Sequence, residues 1–105
     1  MSEEYEEIVM GLIVGSGSAK SFAMEAIRSA KSGDIETARE HLEEANNELA
    51  EAHKIQTGLI QEEAKGNHTP VNLFMVHAQD HVMTAMLAKD LAAEIVDLHE
   101  KLLQK

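Results

Sequence analysis

The stretch "VHAQDHVMTAMLAKDLAAEIVDLHEKL", residues 76–102, decides the fold because it contains most of two apolar stripes at helical spacing, which begin just before it. One stripe consists of Leu73, Leu87, Leu91, Leu98 and Leu102. The other consists of Met75, Val82, Met86, Ala93 and Val96. A single small chain can bury only one of these faces in its own core. Since large exposed apolar surface usually marks an interface, the pattern predicts a homo-oligomer with this helix at its centre.

Two other segments also have helical patterns, so the chain is predicted to form three helices over roughly 3–31, 35–65 and 70–103. The middle helix has one apolar stripe, and its other faces are charged. The stripe comprises Leu42, Ala45, Leu49, Ala52, Ile55 and Leu59, and Glu62 continues its spacing. No alternating strand pattern competes, and the predicted fold is an all-α, antiparallel three-helix bundle forming a single domain over residues 1–105.

The breaks between these helices carry capping residues. Gly33 suits a C-terminal cap, and Asp34 suits the N-cap of the second helix. Gly66 can end the second helix. Thr69 is predicted to cap the third helix, with Pro70 in its first turn, where a missing N–H is harmless.

Composition excludes several classes of function. The net charge is -10, with nine basic and nineteen acidic residues, so binding to nucleic acid or to an anionic membrane surface is not expected. The absence of cysteine excludes disulfides, thiolate zinc sites and a cysteine nucleophile. The acidic start "MSEEYEEIVM" is unlike a signal peptide, and no apolar run reaches the ~20 residues that span a bilayer. A cytoplasmic protein is expected.

The candidate site is a polar cluster on the third helix. His77 and His81 are four residues apart and Asp80 lies three beyond His77, so all three project to one side, on the stripe of Leu73. Four interpretations fit this spacing: a buried polar layer, a metal site, an acid–base pair and a nucleophilic histidine that carries a group covalently. An imidazole with the ordinary pKa of about 6.5 is a competent nucleophile at cellular pH.

Specific motifs for other chemistry fail. The zincin motif H-E-x-x-H has Ala78 where it needs glutamate, and no histidine has the glutamate three residues earlier that di-iron bundles use. The stretch "GLIVGSGSAKS" has Ala19 and Val14 where a phosphate-binding P-loop needs glycine. Its glycines Gly11, Gly15 and Gly17 are therefore expected to serve close helix packing or access for a partner.

The remaining histidines and the methionines have simpler interpretations. His53 and Gln56 share a face and are expected to form a buried hydrogen bond. The other three histidines have no clustered partners and are expected at the surface: His41, His68 and His99. The methionines at 24, 75, 83 and 86 are expected to fill the core.

Taken together, these stretches resemble the enzyme IIA component of the lactose/cellobiose class of the sugar phosphotransferase system. The resemblance rests on "EIVMGLIVGSGSAKSFAMEAI", "SGDIETAREHLEEANNELAEAHKIQTGLIQEEA" and the "HAQDH" core, which follow the family's order and cover residues from about 4 to 103. The combination of "EAHKIQT" with "VHAQDHVMTAM" is specific. The chitobiose and cellobiose branch is more similar than the lactose branch.

The resemblance implies a homotrimer of three-helix protomers and a phosphocarrier. Its histidine, His77 here, takes a phosphoryl group from phospho-HPr and passes it to the cysteine of enzyme IIB during uptake of a disaccharide. Asp80 maps to a residue facing the trimer axis, where three carboxylates bind a divalent cation such as Mg²⁺. His81, and less directly Gln79, are implied as support for the phosphoryl site.

One position departs from the family pattern. Gly15 stands where relatives tend to have a polar residue such as asparagine, so its contribution to the site is in question. The alternative function is a non-catalytic, oligomeric helical interaction protein whose histidines are structural or bind a metal.

Overall fold

The computed structural model describes residues 2–105 and contains three helices: α1 (Glu3–Lys31), α2 (Ile35–Ala64) and α3 (Leu73–Leu103). Across these residues there is no strand, so the all-α prediction is confirmed. The short connection makes α1 and α2 antiparallel, and α3 again runs alongside α1, forming a rod with extents of 54 × 23 × 19 Å. No helix within residues 2–105 is long and apolar enough to cross a membrane.

The predicted cap of α2 is confirmed. Gly33 adopts φ 89°, and the Asp34 carboxylate accepts a hydrogen bond from the Thr37 N–H at 3.1 Å. That bond lowers the pKa of Asp34 because it favours the charged form. Gly66, with φ 91°, follows the last turn of α2 as expected.

The predicted start of α3 is wrong. The helix begins at Leu73, and its N-cap is Asn72, whose side chain accepts a hydrogen bond from the Met75 N–H at 3.0 Å. Thr69 is therefore not the cap, and Pro70 lies before the first turn. The reason is a tertiary contact, because the Tyr5 hydroxyl donates to the Pro70 carbonyl at 2.7 Å and lies 3.2 Å from the Asn72 amide oxygen.

Small residues dominate the interior. Of the 18 buried hydrophobic residues in the described part of the chain, ten are alanines, and the largest fully buried side chains are Leu12, Val82 and Val96. The stripe of α2 is inward-facing as predicted, except that Glu62 is exposed. Among the methionines, Met75 is buried, but Met24 and Met83 are 46% and 56% exposed and do not fill the core.

The two faces of α3 are confirmed. The stripe that begins with Met75 faces the other helices. The second stripe is more than half exposed at every position and is called the outer stripe below: Leu73, Leu87, Leu91, Leu98 and Leu102. Each chain thus carries one more apolar helix face than its own core can cover.

Gly15 allows α1 and α2 to approach closely. A Cβ atom at this position would lie 3.0 Å from the Glu48 carbonyl oxygen and 3.3 Å from the Ala52 Cβ. By contrast, a Cβ at Gly58, in the last third of α2, would meet no atom within 4 Å.

These two glycines give a matched pair of substitutions. Gly58→Ala should raise the free energy of unfolding by about 1 kcal/mol, the difference in helix propensity between the two residues. Gly15→Ala should lower it, because the new methyl group presses on a backbone carbonyl that cannot turn aside. Urea denaturation followed by circular dichroism measures both. Equal stabilisation by the two substitutions would contradict the close approach at Gly15.

Candidate functional site

The two predicted histidines form a contact pair on α3. His77 is exposed and His81 is partly buried, one helical turn further on. Their Nε2 atoms are 3.1 Å apart, and the rings are nearly perpendicular, with centroids 4.4 Å apart and an interplanar angle of 83°. The structure thus joins the two imidazoles through the nitrogen atoms that lie farthest from the backbone.

A third residue, Lys20 of α1, joins this pair. Its Nζ lies 3.3 Å from the Nδ1 of His81, so His81 bridges the lysine and His77. Partial burial, and then the adjacent Lys20 ammonium and His77, lower the pKa of His81, although Asp80 acts in the opposite direction. Because an ammonium group can only donate, the Nδ1 of His81 accepts from Lys20, and His81 is the neutral imidazole with one N–H and one lone pair.

Asp80 lies on the exposed side of α3, next to the outer stripe. Its backbone carbonyl accepts a hydrogen bond from the Thr84 hydroxyl at 2.8 Å. The carboxylate has the oxygen ligands that Mg²⁺ prefers. However, no group of three or more metal-ligating side chains occurs within residues 2–105, so one chain alone offers an incomplete ligand set. A cation at Asp80 fits these residues only where several copies converge.

Gln79 points away from His77. Its side-chain oxygen accepts a hydrogen bond at 2.9 Å from Gln56 of α2, which is buried and also lies 3.4 Å from the Met83 sulfur. A supporting role for Gln79 at the phosphoryl site remains a prediction. The expected bond between His53 and Gln56 is wrong, because His53 is exposed and Gln56 turns towards α3.

Two of the three histidines expected at the surface are partly buried, and only His68 is exposed, where it pairs with Glu63. His41 stacks on Phe22 at 6.0 Å, and its Nδ1 is buried without a hydrogen-bond partner. His99 is partly covered on α3. Neither residue contacts the His77–His81 pair.

Gly15 faces α2, because the atoms nearest its missing side chain belong to Glu48 and Ala52. The His77–His81 pair lies on α3 and contacts α1 through Lys20. Gly15 therefore determines how closely α1 and α2 approach each other. The contacts of His77 and His81 involve each other and Lys20, not Gly15.

Comparison with known proteins identifies the family of this chain. A family model described as "PTS system, Lactose/Cellobiose specific IIA subunit" matches residues 7–100. The chain belongs to this family. It is accordingly a phosphotransferase component of a sugar phosphotransferase system, in agreement with the resemblance described above.

Relatives with high identity span nearly the whole chain. The chain is 53% identical to the lichenan-specific enzyme IIA component of Bacillus subtilis, over 100% of this chain and 96% of that protein. It is 48% identical to the N,N'-diacetylchitobiose-specific EIIA component of Escherichia coli, over 96% and 87%. A lactose-specific component from Staphylococcus epidermidis is 37% identical, over 94% and 95%.

Solved structures support the same fold. The cellobiose-specific enzyme IIA from Bacillus anthracis superposes with a TM-score of 0.93 at 47% identity and covers 100% of this chain and 96% of its own. The IIA(Chitobiose) chain in a solution structure of its complex with HPr from Escherichia coli gives a TM-score of 0.80 at 48% identity, covering 96% and 98%.

The Tyr5 hydroxyl fixes the start of the helix that carries the site, and its removal provides a test of that role. Tyr5→Phe should lower the free energy of unfolding by about 1 kcal/mol, the net value of a typical protein hydrogen bond. Amide exchange at the first residues of α3 should accelerate more than exchange at the start of α2. Uniform acceleration in both helices would show that the hydroxyl stabilises the bundle without anchoring α3.

Proposed function

We propose that this chain is a phosphocarrier that accepts a phosphoryl group from phospho-HPr on the Nε2 of His77 and passes it to the cysteine of a cognate enzyme IIB. The observation that carries the proposal is the contact pair itself: an exposed imidazole whose outer nitrogen lies 3.1 Å from a second imidazole in a family of phosphotransferases. The solved complex of a 48% identical chain with HPr supports the choice of donor.

The transfer needs one nucleophile and few other reacting groups, because phosphoryl transfer is mostly positioning and charge stabilisation. The Nε2 lone pair of His77 forms the new N–P bond while the bond between phosphorus and the donor atom of phospho-HPr breaks. The electron pair of the broken bond returns to that donor atom. The second transfer repeats this exchange, with the enzyme IIB thiolate as the nucleophile and His77 as the leaving group.

The acceptor residue can be tested with a matched pair of histidine variants. Incubation with phospho-HPr should load one phosphoryl group per chain, as an acid-labile and base-stable phosphohistidine. His77→Ala should accept none, because the nucleophile is gone, whereas His53→Ala on the exposed face of α2 should accept as much as the wild type. Phosphate content after gel filtration and intact mass spectrometry measure both. Stoichiometric uptake by His77→Ala would exclude this assignment.

The alternative of a non-catalytic interaction protein is tested by the same experiment. If the wild-type chain took up no phosphate from phospho-HPr and bound a partner unrelated to sugar transport, that alternative would be favoured. The family assignment of the chain as a phosphotransferase component argues against it.

We further propose that three copies assemble through α3. The outer stripe is apolar and exposed along the helix, which requires a cover in water. In a trimer built on this stripe, Asp80 of each copy would approach the axis, and three carboxylates would supply the ligand set that one chain lacks. A divalent cation, Mg²⁺ by its preference for oxygen, would offset their mutual repulsion and reduce the negative field facing the phosphoryl group.

Replacement of Asp80 tests metal binding and trimer assembly independently of each other. Asp80→Leu should abolish Mg²⁺ binding measured by calorimetry. It should also keep or strengthen the trimer, because charge repulsion is replaced by an apolar side chain whose burial contributes about 2 kcal/mol. Sedimentation equilibrium at several protein concentrations measures the assembly. A wild-type protein that sediments as an intact monomer at micromolar concentration would refute the trimer.

We propose the cellobiose and chitobiose branch as the source of the enzyme IIB partner. The supporting comparison is the higher identity to the lichenan and chitobiose components, 53% and 48%, than to the lactose component, 37%. A panel of enzyme IIB proteins offered to the phosphorylated chain measures the preference. Faster transfer to a lactose-type enzyme IIB would contradict the assignment to the cellobiose and chitobiose branch.

A further inference from the structure

Lys20 differs from the other lysines in its surroundings. Of the seven lysines, only Lys20 on α1 and Lys89 on α3 are partly buried, and within residues 2–105 Lys20 has no carboxylate at salt-bridge distance. Lys65 and Lys89 pair with Glu62 and Asp90. The Lys20 ammonium lies instead 3.3 Å from an imidazole nitrogen, the Nδ1 of His81.

This contact fixes the direction of a chain of hydrogen bonds. An ammonium group can only donate, so the Nδ1 of His81 must accept, and the single proton of the neutral imidazole lies on Nε2. That N–H is then directed at the Nε2 of His77, 3.1 Å away. The hydrogen bonds therefore run from Lys20 through His81 to His77, and the proton of neutral His77 lies on Nδ1.

The arrangement has a consequence when His77 carries a phosphoryl group. The Nε2 lone pair of His77 is then used in the N–P bond, and the N–H of His81 loses its acceptor. A phosphoryl oxygen on His77 would occupy the space in front of that N–H and accept its hydrogen bond. If His81 took the other tautomer, a lone pair would face the negative oxygen and repel it.

We propose that Lys20 is a positioning residue that holds His81 as an Nε2–H donor towards the phosphoryl group on His77. This inference rests on the proposed phosphocarrier function. Lys20 acts through His81 and takes no part in bond making: the bond between phosphorus and its donor atom on phospho-HPr breaks, the N–P bond of His77 forms, and the protons of His81 and Lys20 stay in place.

The test compares Lys20→Met with Lys20→Arg and with Lys54→Met as a control. Methionine keeps an unbranched apolar stem but cannot donate, arginine can, and Lys54 is an exposed lysine of α2. In the wild type, Lys20→Arg and Lys54→Met, the imidazole ¹⁵N shifts of His81 should show a protonated Nε2 and an unprotonated Nδ1. In Lys20→Met the two nitrogen shifts should move towards each other as both tautomers become populated.

The transfer kinetics provide the second measurement. Lys20→Met should lower the maximal rate of phosphoryl transfer from phospho-HPr by about 10- to 100-fold, the range found when the orienting partner of a metal-bound histidine is lost. The KM for phospho-HPr should change little, and the difference should persist at high salt, unlike an effect of surface charge on docking. Lys20→Arg should restore most of the rate.

The outcomes separate this inference from the proposed function. If the wild type loads phosphate on His77 and Lys20→Met matches its rate or keeps its His81 tautomer, Lys20 has no positioning role and the proposed function stands. A rise in KM that disappears at high salt would assign Lys20 to docking and overturn the inference. A wild type that accepts no phosphate would overturn both.

Discussion

Close packing through alanine is the constraint on which the rest of the structure depends. Ten of the 18 buried hydrophobic residues that the structure describes are alanines, and Gly15 brings the backbones of α1 and α2 into direct contact with each other. Helices packed this closely leave room between them for only a few large side chains, such as Leu12, Val82 and Val96. The chain therefore has its leucines largely outside the bundle, where they form the outer stripe of α3. Close helix packing thus accounts both for the small side chains of the interior and for the large apolar surface outside.

The close packing of α1 against α3 also determines the surroundings of the histidine pair. With α1 and α3 side by side, a lysine side chain from one helix reaches an imidazole on the other, and His77 remains exposed beyond it. His77 and Asp80 lie beside the outer stripe in the first part of α3, whereas four of the five leucines of that stripe follow Met86. One helix thus carries the histidine pair near one end and most of the exposed apolar surface near the other.

Much of the fold and part of the candidate site could be predicted from the sequence. Apolar periodicity predicted three helices and the two faces of α3, and the spacing of His77 and His81 predicted that they share one side of that helix. Prediction from the sequence failed wherever the hydrogen-bond partner of a side chain lies on another helix. The Tyr5 hydroxyl moved the start of α3 to Leu73, and Gln56 pairs with Gln79 across helices although His53 is its neighbour on α2. Lys20 gave no signal, because spacing along one helix says nothing about which residue of a second helix lies opposite.

An alanine interior also has a consequence for divergence. A side chain larger than alanine between these helices overpacks the interior, at a cost of about 1–3 kcal/mol, and glycine in its place weakens the helix by about 1 kcal/mol. Substitutions on the outside of the bundle meet neither of these costs. That outer surface is also where a donor or an acceptor protein must be recognised, so descendants of one such chain can acquire new partners while the helices keep their spacing.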